Sequence, residues 1–369
     1  LAKDLIESNR SNIVTLVNDG EKALKKAEEF ISSKRLFPLK KNMEDESERN
    51  EVMKDKDVVF SALLHKHSLP CLSTAVKLGV HYVDLVGDDP SARLQLHREA
   101  KKRGIVAISG MGLSPGIANV CVARAAHLLD KTESAFIYVG GVPACPKPPL
   151  NHRIVYTLDS LLRFYEKDAL LLRRGKVVEV PPLSGVETIS FPPEFPDMEC
   201  FYTHGLSSLL LTMKAKISGE LSKKTIRHKG HTQGIRTLME CGLFSTQPIR
   251  VGGQEIIPRS LLAVLLESKL ALGEERDVTL LRIAVTGIKS GKPQTQVFEM
   301  IDHYDSEKKY TSMAKTTAFP ASIVGQMIAS GKIDRSGIAF PEEILSDRLF
   351  PCFAEELAVR GVLLSHRVL

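Results

Sequence analysis

The sequence predicts a two-domain α/β protein, with a parallel sheet covered by helices on both faces over residues 1–116 and an α+β domain after it. Three observations carry this. At 369 residues the chain is longer than one ordinary core, which stops growing somewhere above ~250 residues. Over its first third, short apolar runs alternate with helical periodicity, the mark of β-α repetition. Beyond Asn119 the alternation gives way to period-2 segments and a hairpin pattern.

Taken in order, LAKDLIES has apolar residues on one helical side and reads as the middle of an amphipathic helix. A preceding segment is therefore expected upstream of Leu1. Strands are predicted at 13–17, 36–39, 57–62, 82–85 and 105–108, and helices at 21–31, 44–53, 69–78 and 93–102. Runs such as VVF and YVDL suit strands buried on both faces. A helix follows from Asn119 to about residue 129, then a strand at 135–139 and the turn GGVPACPKPPL. GKVVEVP and SGVETISF alternate as strands, and residues 235–240 read as a helix. Residues 278–305 alternate about Ser290-Gly291, the pattern of an antiparallel hairpin. Residues 316–331 form an apolar helix rich in small residues, suited to close packing.

Composition narrows the function. Apolar and charged fractions of 43% and 25% are those of a globular protein. The net charge of +6 is modest, and the one dense basic cluster, Lys223, Lys224, Arg227, His228 and Lys229, is short. Tryptophan is absent, so no base-stacking platform accompanies that cluster. Anionic small molecules are the expected partners, and nucleic acid is not. The six cysteines are scattered without a C-x-x-C pair, which predicts reduced, mostly buried thiols and no metal site. No run reaches ~18 apolar residues and no signal-peptide pattern is present, so no membrane partner and a cytoplasmic location are the default expectation.

In a sheet of this kind ligands bind at the carboxyl ends of the strands. Asn18 and Asp19 end the strand at 13–17, where an acidic residue accepts from ribose hydroxyls and repels a 2′-phosphate. Asp19 also suits a helix N-cap. The segment 110–116 (GMGLSPG) joins a strand to a helix; its glycines allow close backbone approach to a ligand, or make a tight turn. Asp84 is polar at the end of an apolar strand, as a site residue or a loop cap. In KTIRHKGH, Thr225 and Arg227 share one face of an extended stretch, where hydroxyl and guanidinium can hold a carboxylate. A solvated basic strand is the alternative. His65, His67, His204 and His231 fall in predicted loops, each a candidate base or an ordinary surface histidine.

The blocks DVVFSALL, GVHYVDLVG, GMGLSPGIAN, IYVGGVPACPKPPL, KTIRHKGH, DVTLLRIAVTGIKSGK and SMAKTTAFPASIV resemble, in order and across nearly the whole chain, the saccharopine dehydrogenase family. The closest likeness is to its bacterial and archaeal branch containing lysine 6-dehydrogenase. The resemblance implies a Rossmann domain with NAD, or NADP, and a catalytic α+β domain over 117–311. It further implies helices over 312–369 that return to the Rossmann half, and a homodimer or larger oligomer. Leu63, Leu64, Leu113, Pro115 and Gly116 would lie along the cofactor with Asn18 and Asp19. Thr225, Arg227, Gly87 and Ser114 would meet the amino-acid substrate, and Asp84, His204 and His231 are the catalytic candidates. Gly87, Ser114 and His204 stand where saccharopine reductases carry Tyr, Asp and Arg. That ranks L-lysine, oxidised at its ε-carbon, above saccharopine, although Lys223 replaces a tyrosine of the lysine branch and adds positive charge. The resemblance also implies a strand and a G-x-G-x-x-G turn upstream of Leu1, and a non-catalytic binding or scaffold protein is the third reading, should that turn be missing.

Overall fold

The computed structural model describes residues 1–154 and 158–369. It divides into two compact units, Leu1–Arg124 with Thr316–Gly361, and Ala125–Lys315 with Val362–Leu369.

The first unit is a parallel Rossmann-type α/β structure. Strands Val58–Ser61, His81–Asp84, Val106–Ile108 and Gly337–Ala339 lie side by side in that order, all parallel. Val14–Asn18 pairs in parallel with Leu36–Lys40. Helix His65–Leu78 buries Cys71, Leu72, Ala75 and Val76, the i, i+1, i+4 and i+5 positions of one helical face. They pack with Tyr82, Ala107 and Ile338 from three strands. Gly79 ends that helix at φ +75, its N–H reaching the carbonyls of Ala75 and Val76. The small-residue helix Ser312–Ala329 packs as its composition requires, because a Cβ at Gly325 would stand 2.1 Å from the Phe60 ring.

Some boundaries moved. Helix His65–Leu78 starts four residues before the expected position, so His65 and His67 lie in its first turn and not in a loop. The helix expected at 93–102 is two, Pro90–Leu94 and His97–Lys102, the first started by the Asp89 side chain accepting from Ala92 N–H. Strand Gly337–Ala339 is short and carries no alternation long enough to signal itself.

The second unit is built on a nine-stranded mixed sheet. Its main path runs Ser365–Val368, Lys292–His303, Asp277–Lys289, Lys131–Pro143, Glu220–His228, Phe195–Tyr202 and Glu187–Phe191. Glu220–His228 runs parallel to Lys131–Pro143, and the other pairings in this sheet are antiparallel. The long hairpin turns at Ser290 (φ 50) and Gly291 (φ 74), two left-handed residues matching strand twist. Asp130 holds the turn, accepting from Ser290 N–H at 2.6 Å and Lys289 Nζ at 2.8 Å.

The two faces of this sheet have separate cores. Ile226 joins Val142, Phe191, Met198, Cys200 and Leu280 on one side. Phe201 faces the other, where Leu161, Tyr165, Ile235, Leu262 and Leu266 arrive from helices Leu158–Glu166, His231–Glu240 and Pro258–Leu270. Helix His231–Glu240 begins at His231, which is therefore a first-turn residue; of the four histidines expected in loops, only His204 is in one. All six cysteines are free, but Cys145 and Cys241 are exposed and Cys352 is half-buried, so three are buried and not most of them. Among the described residues no helix is long and apolar enough to cross a membrane.

Candidate active site

In the first unit the sequence-nominated residues gather at the carboxyl ends of the parallel strands. Asn18 closes Val14–Asn18, and its side-chain oxygen accepts from Gly20 N–H at 2.8 Å, shaping the turn into the next helix. Asp19 beside it is exposed. Leu63 packs partly against the helix-strand core, whereas Leu64 is 55% exposed at the N-cap of helix His65–Leu78. His65 pairs with Asp88 at 2.7 Å, and His67 lies 3.4 Å from Glu44.

Asp84 is enclosed. One carboxylate oxygen accepts from Arg93 Nη1 at 2.7 Å and Ser68 Oγ at 2.6 Å, and the other from Gly110 N–H at 3.0 Å and Val86 N–H at 3.2 Å. Arg93 also donates to Ser109 Oγ and Ser68 Oγ. Burial pushes the Asp84 carboxyl up, and Arg93, Ser68 and the Gly110 amide pull it back. With four donors in place the carboxylate fastens the ends of two strands to each other. A fifth donor, such as a substrate ammonium, has no open lone pair to meet.

The turn that Asp84 holds is tight. A Cβ at Gly110 would come within 3.3 Å of Gly87 Cα and 3.1 Å of the Pro115 ring. Gly116 has φ +125, and a Cβ there would overlap the Gly112 carbonyl at 1.8 Å. Leu113 is buried, the Ser114–Pro115 bond is cis, and Ile117 N–H donates to the Gly112 carbonyl at 2.9 Å. Ser114 Oγ is buried without a hydrogen-bond partner among the described residues. Gly87, Ser114 and Pro115 are thus brought together around one turn at the strand end.

In the second unit the nominated residues lie on strand Glu220–His228. Lys223, Thr225 and Arg227 alternate onto the side opposite Ile226, and all three are buried. Thr225 Oγ1 lies 2.7 Å from Thr203 Oγ1. Arg227, 2% exposed, acts electrostatically on the Tyr165 hydroxyl and donates to the Ile226 carbonyl at 2.9 Å. Glu199, directly opposite Arg227 in register, accepts from the Gly230 and Thr232 amides at the start of helix His231–Glu240.

Histidines crowd around Arg227. His231 is fully buried, its Nδ1 against the Leu150 carbonyl at 2.9 Å and its Nε2 against the Tyr165 hydroxyl at 2.7 Å. Burial and then Arg227 push it down to about 3. It is neutral with both nitrogens engaged, so it is no base near neutral pH. His152 stands edge-on to His231, ring centroids 5.2 Å apart, and neither of its nitrogens has a partner among the described residues. Burial, then Arg227, drives it well down as well. His204, on the loop after strand Phe195–Tyr202, stacks on Phe164 at 4.9 Å. His152 and Tyr165 were not nominated from sequence. An apolar flank hides both in LLRFYEKD and PPLNHRIV, where neither stands at a strand end or in a recognisable motif.

Comparison with known proteins follows the same division. The saccharopine dehydrogenase NADP binding domain profile matches residues 2–108, and the saccharopine dehydrogenase C-terminal domain profile matches residues 112–362. The chain is similar to carboxyaminopropylagmatine dehydrogenase of Synechocystis sp., 24% identical over 317 residues, covering 79% of this chain and 75% of that one. It is also similar to alpha-aminoadipic semialdehyde synthase of Arabidopsis thaliana, 23% identical over 373 residues, covering 78% of this chain but 35% of that one. A third relative, the NADP(+), L-glutamate-forming saccharopine dehydrogenase of Pyricularia oryzae, is 21% identical, with 57% of this chain and 48% of that protein covered. The chain thus spans half or less of the length of the last two. Among solved structures, apo saccharopine dehydrogenase (L-Glu forming) from Saccharomyces cerevisiae superposes with a TM-score of 0.82 at 19% identity, covering 100% of this chain and 96% of that one, a likeness of fold.

Proposed function

The chain belongs to the saccharopine dehydrogenase family, oxidoreductases that use a nicotinamide cofactor, and from that premise we propose that it oxidises a C–N bond of a lysine-related amino acid. The observation that carries this is the buried Thr225–Arg227 face, a hydroxyl and a guanidinium side by side and walled by neutral histidines. Such a pair recognises the α-carboxylate of an amino acid through charge-assisted hydrogen bonds.

The strand ends of the first unit fit a dinucleotide. Asn18 and Asp19 would meet the ribose, and Leu63, Leu64, Leu113, Pro115 and Gly116 would line the nicotinamide half. The exposed Asp19 carboxylate repels a 2′-phosphate and favours NAD; the profile's description as an NADP binding domain keeps NADP as the alternative. When bound, the nicotinamide ring supplies the hydride acceptor. The substrate carbon gives up hydride, the nitrogen lone pair closes a C=N bond, and the N–H proton passes to a base. Water then adds to the imine, which splits into semialdehyde and amine.

Because the lone pair that closes the C=N bond exists only on the unprotonated amine, a base working near neutral pH must first take the proton of the substrate ammonium. His231, held neutral, and Asp84, saturated by four donors, are positioning residues in this reading. Of the three sequence-nominated groups the role passes to His204. Gly87 and the partnerless Ser114 hydroxyl face the substrate.

Two substrates are in contention. L-Lysine, oxidised at its ε-carbon, is favoured by Gly87, Ser114 and His204. Saccharopine is favoured by Lys223, a buried cation unsuited to a cationic substrate. The test is the full chain with NAD or NADP and each substrate in turn, followed by the absorbance of reduced nicotinamide. Turnover of neither refutes the reading.

A further inference from the structure

Two buried histidines stand edge to face in the second unit, and the fold treats them differently. His231 has a partner at each ring nitrogen, the Leu150 carbonyl at 2.9 Å and the Tyr165 hydroxyl at 2.7 Å. The carbonyl can only accept, so Nδ1 carries the hydrogen and Nε2 receives the Tyr165 O–H. A proton added to His231 would cost it that second bond. His152 is equally enclosed, at 0% exposure, its ring 5.2 Å from that of His231 and inclined to it at 73°. Neither of its nitrogens has a hydrogen-bond partner among the described residues. A neutral imidazole brings one N–H and one lone pair, and leaving both unmet in a buried site is costly. His152 is therefore the ring of the pair whose lone pair is open to a proton.

The surrounding charges decide whether it takes one. Burial comes first in holding the ring well below the ordinary histidine range, followed by Arg227, by His231 on helix His231–Glu240, by His228 on strand Glu220–His228, and by the neighbouring Arg153. The carboxylates of this region are engaged elsewhere. Glu275 is tied to Lys147 at 3.1 Å and to Arg153 at 3.3 Å, and Glu199 accepts from Gly230 N–H at 3.0 Å and Thr232 Oγ1 at 2.6 Å. Arg227 is thus the foremost charge acting on His152, and it has the sign that opposes protonation. A carboxylate held by the guanidinium would offset that charge, and offsetting a like charge favours the protonated ring.

We propose that His152 is a proton-binding residue of the substrate site, coupled to Arg227: the ring takes up a proton as a carboxylate settles on the guanidinium. This rests on the reading of Arg227 as a carboxylate anchor and adds a function to it. The site then binds an anion and a proton together. Such linkage is reciprocal, so affinity for the carboxylate rises as pH falls. His231, locked between a carbonyl and a hydroxyl, stays neutral through the exchange.

The experiment titrates the full chain, its histidine rings isotope-labelled, by NMR from about pH 8 to pH 5.5, the His152 signal being the one lost in His152→Gln. L-Lysine, L-saccharopine and acetate serve in turn as the carboxylate. Alone, the chain shows a His152 ring that stays neutral across the range. With bound carboxylate the ring titrates within it, an upward shift of ~1 unit or more. In Arg227→Gln the ring titrates higher from the start, and added carboxylate moves it no further. Should Arg227→Gln fail to fold, affinity decides: Kd for the carboxylate tightens ~tenfold from pH 7.5 to pH 5.5 in the unmutated chain and stays constant in His152→Gln. A His152 signal unmoved by bound carboxylate, or equal pH dependence of Kd in both chains, overturns the proposal. Acetate moving the ring where neither amino acid binds upholds the coupling and refutes the amino-acid substrate; binding of none of the three overturns both.

Discussion

Without substrate, the Lys223 ammonium should weaken the fold, and Lys223→Met should strengthen it. The group titrates near 8 in the folded chain against an ordinary 10.5, a gap of about 2.5 units. At 1.36 kcal/mol per unit this is about 3 kcal/mol of strain on the charged form. Only 3% of the residue is exposed, so solvent screening removes little of it. The folded pKa is lowered, so between pH 8 and 10.5 the unfolded chain holds a proton that the folded chain has released. Stability therefore rises with pH across that window and is lowest below pH 8. Methionine keeps most of the buried stem and gives up the hydrogen bond to the His204 carbonyl, worth ~1 kcal/mol. The variant should gain about 2 kcal/mol at pH 7, and this advantage should vanish above pH 10.5. Urea unfolding followed by far-ultraviolet circular dichroism, wild type against variant at both pH values, reads the difference. A variant less stable at pH 7, or an advantage of equal size at both pH values, refutes the reasoning.

Three further outcomes are expected. Asp84→Asn leaves Arg93 buried beside a neutral amide, which should cost ~3–5 kcal/mol and lower the first unit's urea midpoint; an unchanged midpoint would mean the knot is dispensable. His231, near 3 folded against 6.5 unfolded, contributes stability lost as pH falls below 6.5, by ~1.4 kcal/mol per unit. The drop in stability of the wild type between pH 7 and pH 5 should accordingly exceed that of His231→Asn by ~2 kcal/mol, and equal drops would show the ring to be exposed. Arg227→Lys replaces a planar fork with a point charge and should raise KM for the amino acid ~10- to 100-fold with a smaller change in kcat, checked by steady-state kinetics.

The fold was legible where its signals are local. Apolar runs such as VVF in the first unit and the Ser290-Gly291 turn in the second are set by neighbouring residues, and their elements formed where periodicity put them. Strand Gly337–Ala339 could not be read, because its place beside Val106–Ile108 depends on a pairing more than two hundred residues away. The break at Gln95 and Leu96 was hidden for a related reason, since the helix pattern continues through it and the backbone does not.

The site was legible in its positions and less so in its chemistry. Asp84 and Lys223 show why. From sequence Asp84 is a polar residue ending an apolar strand, whereas Lys223 is one member of a short basic cluster. What separates them is the count of partners, which no spacing reveals. Asp84 has four donors, one of them a guanidinium, assembled from Ser68, Val86, Arg93 and Gly110, so its charge is spent inside the fold. Lys223 has one carbonyl and a like charge for company, so its field is available to a ligand. The residue whose charge the fold leaves unbalanced is the one that can choose among substrates, and here its sign opposes the lysine preference drawn from Gly87, Ser114 and His204. Those three remove contacts that saccharopine would use, whereas Lys223 repels a cation outright. In the proposed reaction a lost contact would lower affinity for one substrate and a buried like charge would disfavour the other, so the two arguments oppose each other and the assay of both substrates decides between them.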